Sequence, residues 1–248
     1  VIHLKTLYEI NQIEYANKMV AEILQICYEH IKPGIATIEL EEIAEKFCVN
    51  HNVRPSFKGY KGFPYCLCVS LNEEVVHGFP SQRIVKEGDI ISVDCGVDRN
   101  GYYGDAAFTK IVGEVSPNIE KLVTTTEKCL YEGIRNALPE GRLHNISKAI
   151  QLTAKTAGFG VVRSFAGHGV GFAVHEKPLV PNYVSRGINY ILKTGLVIAI
   201  EPMLVEGSYE IETASNGWIT MTKDRKMAAH FEHTIAIMEN GPKILSIL

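Results

Sequence analysis

The chain has no excess of basic residues. Lys plus Arg number 25 against 28 for Asp plus Glu among 248 residues, a formal net charge of −3, so the composition lacks the positive field that holds a phosphate backbone. A nucleic-acid substrate is not expected. Long apolar runs are missing too: stretches such as 196–200 and 235–238 fall far short of the roughly 18 to 20 residues that span a bilayer. No membrane partner is expected. The first residues carry no basic segment followed by an apolar one, the mark of a secretory signal, and the cytoplasm is the expected compartment. The six cysteines, at 27, 48, 66, 68, 95 and 129, form no CxxC pair and lack the spacing of a disulfide framework. They read as free thiols. With 46% hydrophobic and 21% charged residues, the chain has the composition of an ordinary globular protein. Its length leaves one large domain or two fused halves open.

Helix signals are clear. Thr6 and Glu9 make a capping box ahead of apolar residues at helical spacing, which predicts a helix over 7–31 ended by Lys32-Pro33-Gly34. Thr37 is the expected cap of a second helix to about 50, and Ser116-Pro117 opens a third to about 137. A fourth is expected over 145–157, stopped by Gly158. Runs of strand length lie at 90–95, 102–112, 196–201 and 231–238.

These elements repeat. Lys32-Pro33-Gly34, a helix and Arg54-Pro55-Ser56-Phe57 match Pro139-Glu140-Gly141, a helix and Arg163-Ser164-Phe165. Further on, Gly88 precedes an apolar strand ending in Asp94 as Gly195 precedes one ending in Glu201, and the next strands bring Asp105 and Glu232. Four acids thus form two pairs, which a duplicated half would place around a local two-fold axis.

Hairpin geometry points the same way. A four-residue loop, Asp98-Arg99-Asn100-Gly101, would set Asp94 opposite Asp105, whereas an Asn100-Gly101 turn sets it opposite Ala107. Either register leaves both acids on one face, since side-chain direction has period two. Like charges so placed need a cation between them, and acids inside apolar strands need a partner. Gly167-His168-Gly169-Val170-Gly171 adds a histidine in a segment where backbone can approach a ligand, and His175-Glu176 follows. The latter is no HExxH, because no second histidine follows at helical spacing. Asp94, Asp105, His168, Glu201 and Glu232 make an oxygen-rich donor set that favours Mn, Fe or Co over structural tetrahedral zinc.

Over essentially its whole length the chain resembles the type I methionine aminopeptidases. The stretches that carry this are Gly59-Tyr60-Lys61-Gly62-Phe63-Pro64, Val76-His77-Gly78, Asp94-Cys95-Gly96, Gly104-Asp105-Ala106-Ala107 and Gly167-His168-Gly169. His175-Glu176-Lys177-Pro178, Ile200-Glu201-Pro202-Met203 and Phe231-Glu232-His233-Thr234 complete them. The resemblance implies the α+β pita-bread fold, with two pseudo-symmetric halves around a curved antiparallel sheet, and a single catalytic domain over 1–248. It implies a metallo-aminopeptidase that hydrolyses the initiator methionine from nascent proteins and peptides.

The same resemblance implies two divalent ions, Co, Mn, Fe or Zn, on Asp94, Asp105, His168, Glu201 and Glu232. Asp105 and Glu232 would bridge them, Asp94 would chelate one, and His168 with Glu201 the other. A water shared by both ions would become the hydroxide nucleophile, with Glu201 accepting its proton. His77 and His175 would flank the scissile carbonyl and stabilise its oxyanion. Tyr60, Phe63, Cys68 and Trp218 match the methionine-pocket positions. The implied partners are chains with N-terminal methionine and a small second residue, with the ribosome surface as a further contact, and the implied state is a monomer. Three features depart from the family pattern: Phe63 where tyrosine is frequent, Phe172-Ala173-Val174 in place of basic and aromatic residues, and His230 where glutamine is common. Prolidases share the metal set but usually carry an extra N-terminal domain, and type II methionine enzymes carry a long insertion between the last two glutamates. A non-enzymatic binding module of this fold would have lost metal ligands, and all five positions are filled here.

Overall fold

The computed structural model describes residues 1–247. Helix α1, Leu7–His30, begins where the capping box puts it: Thr6 Oγ1 accepts from Glu9 N at 3.3 Å, and Glu9 Oε2 accepts from Thr6 N at 2.7 Å. Helix α2, Thr37–His51, departs from expectation at its start. Ala36 is the N-cap and its N–H donates to Glu39 Oε1 at 2.7 Å. Thr37 is already helical, and its hydroxyl exchanges hydrogen bonds with the backbone of Ser81 at 3.1 and 2.9 Å. Sequence spacing cannot reveal that distant competitor for the hydroxyl. Helix α3, Pro117–Arg135, is capped by Ser116 Oγ, which accepts from Ile119 N at 3.4 Å. Helix α4, Leu143–Ala157, starts two residues before 145, because Leu143 N is already tied to Tyr190 O at 2.9 Å. It ends on Gly158 at φ 90°, a left-handed conformation that glycine adopts without the Cβ penalty.

The first half supplies β1 Arg54–Pro55, β2 Leu67–Leu71, β3 Glu74–Val76, β4 Ile90–Arg99 and β5 Tyr102–Ile111. The second supplies β6 Gly160–Val161, β7 Ala166–Gly169, β8 Glu176–Pro181, β9 Val197–Ile200 and β10 Met203–Val205. It continues with β11 Ile211–Thr213, β12 Thr220–Thr222, β13 Ala228–His230, β14 Glu232–Met238 and β15 Gly241–Ile244. A nine-stranded antiparallel sheet runs β1-β4-β5-β14-β9-β7-β8, with β2 on β4 and β15 on β14. Two three-stranded sheets, β13-β10-β6 and β11-β12-β3, flank it. The β4–β5 hairpin takes the two-residue turn: Arg99 pairs with Tyr102 and Asp94 with Ala107, and Asn100 and Gly101 sit at φ 56° and 82°, as a type I′ turn requires.

The repeat read in the sequence is physical down to single hydrogen bonds. Gly88 N donates to Val112 O at 2.8 Å as Gly195 N does to Ile237 O at 2.9 Å. Gly34 N meets Val85 O at 2.9 Å, and Glu140 N meets Leu192 O at 2.7 Å. After α2 and α4, Val53 N reaches Cys48 O and Phe159 N reaches Ala154 O, both at 3.0 Å. Each half packs its two helices on its own strands. Ile91, Val93, Cys95 and Val97 of β4 meet the apolar faces of α1 and α2, while Ile198, Ile200, Ile235 and Ile237 meet those of α3 and α4. Alternation then sends Asp94, Glu201 and Glu232 to the opposite face. Among the described residues, no helix is long and apolar enough to cross a membrane. All six cysteines are free and buried.

Candidate metal centre and substrate cavity

Where the two halves meet, β5 and β14 share only two register pairs, Glu232 with Ala107 and His233 with Ala106. Asp94, Ala107 and Glu232 therefore stand in line across three strands, and Asp105, two residues from Ala107, lies on their face. Ile200 pairs with His233, so Glu201, the next residue, comes alongside Glu232. His168 arrives from β7, which pairs with β9 at Gly169 and Ile198. Two glycines make that approach possible. A Cβ on Gly167 would stand 2.3 Å from Ala199 O, and one on Gly169 would stand 2.3 Å from Lys177 O.

The polar atoms at this junction lack protein partners. Asp94 Oδ1, Asp105 Oδ1 and Glu232 Oε1 are buried without a hydrogen bond. His168 Nε2 stands 3.8 Å from Asp105 Oδ2 and 3.5 Å from Glu201 Oε1, beyond ordinary hydrogen bonds. Its Nδ1–H donates to Gly169 O at 3.0 Å, which fixes the tautomer and leaves the Nε2 lone pair facing the acids. One ligand atom each from Asp105, His168 and Glu232 lie within 4.8 Å of one another.

Burial pushes Asp94 up to about 7. Asp105 and Glu232 stand well above the usual carboxylate range through burial first and the neighbouring acids second, and Glu201 through burial and Asp94. Two like charges 4 Å apart repel by about 4 kcal/mol at an effective dielectric near 20. Four such acids cannot all ionise here without cations. Burial also pushes His168 down to about 4, so its imidazole is neutral and ligand-ready at neutral pH.

A cavity of about 360 Å³ opens over this junction. Besides the five donors, His77, His175, Tyr60, Phe63, Cys68 and Trp218 line it, so every site residue read from the sequence faces one space. His77 takes φ 60° and sets its ring centroid 5.3 Å from that of Phe165 and 6.1 Å from that of Trp218. The His175 ring lies between those of His168, at 4.3 Å, and Tyr60, stacked at 5.1 Å. Phe63 meets Trp218 edge-on at 5.1 Å, and Cys68 is the register partner of Asp94. Burial holds both His77 and His175 below the usual imidazole range, with His168 adding to the effect on His175.

Phe57, Phe165 and Met203 are not among the site residues expected from the sequence, and His230 enters there only as a departure from the family pattern, yet all four line the cavity. The signal for two of them was present: Phe57 and Phe165 are the matched ends of the repeated Arg-to-Phe segment.

The chain matches the model of metallopeptidase family M24 over residues 11–239. It belongs to metallopeptidase family M24. Its similarity to a methionine aminopeptidase of Clostridium perfringens is 47% identity, covering 100% of this chain and 99% of that protein. Methionine aminopeptidase 1 of Bacillus subtilis is 48% identical, with 98% of each chain covered. The crystal structure of a methionine aminopeptidase from Thermotoga maritima superposes with a TM-score of 0.97 at 43% identity over all of both chains. A prolidase of Pyrococcus furiosus shares the fold, with a TM-score of 0.81 at 23% identity, and this chain covers 65% of it. The expected pita-bread fold is thus the fold of this M24 chain. Family membership implies divalent metal ions, and the residues present fit them: Asp94, Asp105 and Glu232 each keep a buried carboxylate oxygen without a hydrogen bond, and ligand atoms of Asp105, His168 and Glu232 gather within 4.8 Å of one another.

Proposed function

We infer that this M24 chain is a methionine aminopeptidase, which removes N-terminal methionine from proteins and peptides by hydrolysis. One observation carries the reading: a cluster of buried acids with His168 lies at the floor of a cavity whose wall is Phe63, Cys68 and Trp218. The acids demand cations and the wall suits an apolar, sulfur-bearing side chain.

Two divalent ions would be held by Asp94, Asp105, His168, Glu201 and Glu232. Bound there, such ions supply Lewis acidity and lower the pKa of water toward neutrality. The five N and O donors accept Co, Mn, Fe or Zn, with metal availability deciding among them.

The side chains do the rest. The substrate ammonium is attracted by the carboxylates, which restricts cutting to a free N-terminus. Tyr60, Phe63, Cys68 and Trp218 hold the methionine side chain. His77 and His175, kept neutral, donate N–H groups to the scissile carbonyl oxygen as negative charge develops. Glu201 holds the proton taken from water and returns it to the leaving amine.

Both halves contribute donors, so the chain over 1–248 acts as a single catalytic domain. Its substrates are nascent chains with a small second residue, met in the cytoplasm near the ribosome surface, and it acts as a monomer. The test compares Met-Ala-Ser with its N-acetyl form and with Met-Leu-Ser, before and after chelation and metal return. Cleavage of Met-Ala-Ser alone, lost on chelation and restored by metal, is expected. Equal cutting of the acetylated peptide overturns the reading.

A further inference from the structure

His230 is the buried titratable group at the cavity that the reaction above does not use. It is 2% exposed, its Nε2 has no hydrogen-bond partner, and it lines the cavity. That atom stands 3.7 Å from Glu232 Oε2. The separation is too long for a hydrogen bond. It is instead the separation of two donors on one ion: metal bonds of about 2.1 Å at an angle near 120° put donor atoms about 3.6 Å apart. His168 Nε2 shows the same spacing to its acids, 3.5 Å to Glu201 and 3.8 Å to Asp105.

The backbone carrying His230 is fixed from both halves. Its N–H donates to Thr109 Oγ1 at 2.9 Å, Thr109 Oγ1 donates back to its carbonyl at 2.7 Å, and Ser92 Oγ lies 2.8 Å from the same hydroxyl. On the other side His230 pairs with Met203 in β10. His230 is thus a buried imidazole clamped at its backbone, with an unpartnered Nε2 beside the Glu232 carboxylate.

We propose that His230 is a sixth side chain of the metal centre, its Nε2 ligating the same divalent ion as Glu232. This rests on the metal-site reading above and extends it. A second imidazole makes the donor set richer in nitrogen, which favours Co, Fe and Zn over Mn more strongly than an amide at this position does.

The apoprotein, prepared with 15N-labelled histidine, is loaded with Zn²⁺, and ring nitrogens bound to metal are identified by NMR. Two such imidazoles are expected, and His230→Gln removes one of them. One metal-bound imidazole only, that of His168, overturns the proposal while leaving the site reading intact. None at all overturns the site reading itself. Calorimetric titration provides the second measure: His230→Gln should bind Co²⁺ at least tenfold more weakly, a loss that even an outer partner of a ligand causes, with a smaller loss for Mn²⁺. Parent-like Co²⁺ affinity in His230→Gln contradicts the proposal, and thermal melts of both apoproteins verify that the variant folds. The NMR count on the parent stands whether or not it does.

Discussion

Lys5 Nζ and Glu176 Oε2 lie 2.5 Å apart, with the Lys5 side chain fully buried. Glu176 Oε1 also accepts the backbone N–H of Phe172 at 2.5 Å and of Ala173 at 3.1 Å, so a residue from the first six of the chain secures the loop that presents His175. Removing one partner of a buried pair leaves a charge uncompensated and costs about 3 to 5 kcal/mol. Glu176→Gln should therefore lower the melting temperature by roughly 6 to 20 °C and reduce kcat through a misplaced His175. The Lys5→Met/Glu176→Gln double variant should recover much of the stability and little of the rate. Additive melting losses in that double-variant cycle would show that the two side chains are not coupled.

Metal removal should destabilise the protein in a pH-dependent way. The folded-state pKa of Asp94 is raised to about 7, and Asp105, Glu201 and Glu232 are raised as well. A raised pKa means stability that is present below the unfolded value, about 4, and lost as pH climbs through the folded value. The metal-free acids therefore weigh most heavily on the fold above about pH 7. Divalent ions neutralise the acids there, whereas protons compete with them at lower pH. The melting-temperature gain from saturating Co²⁺ or Mn²⁺ should be larger at pH 8 than at pH 5.5. An equal gain at both pH values contradicts the account.

The same electrostatics sets stability against activity at Asp105 and Glu232. Glu232→Gln removes one of the buried acids whose ionisation weighs on the metal-free fold, so above about pH 7 its metal-free form should melt at a higher temperature than the metal-free parent. Its metal-dependent turnover should be abolished, as in Asp105→Ala, and added metal should stabilise it little. Cleavage of Met-Ala-Ser within tenfold of the parent, with metal supplied, removes Glu232 from the centre.

The acids were legible in the sequence because they interrupt apolar strands twice, at matching distances from Gly88 and Gly195, and strand alternation turns such a repeat into a shared face. Helix boundaries were legible where local chemistry decides them, as at Thr6, Ser116 and Gly158. They were not where a distant strand intervenes: Ser81 draws the Thr37 hydroxyl away from capping, and Tyr190 starts α4 early. His230 illustrates the same limit inside the site. Its neighbours in the chain are Ala228, Ala229 and Phe231, a local pattern of core strand, and only the Thr109 clamp and the free Nε2 reveal its direction.

The histidines offer the sharpest division between holding metal and acting on substrate. His168 directs Nε2 at Asp105 and Glu201 from a backbone pinned between β8 and β9, whereas His175 stacks on Tyr60 and His77 leans on Phe165 and Trp218. His168→Ala should lose metal, seen as reduced stoichiometry or affinity in calorimetry. His175→Ala should keep parent-like metal content and lower kcat by about two to three orders of magnitude, the usual loss for one oxyanion donor. His77→Ala should behave like His175→Ala, with a higher KM as well, because its ring borders the aromatic wall. All three variants are compared by metal titration beside steady-state kinetics on Met-Ala-Ser. Weaker metal binding in His175→Ala than in His168→Ala reverses the two roles, since a side chain whose job is in the transition state has no reason to change the ground-state affinity for the ion.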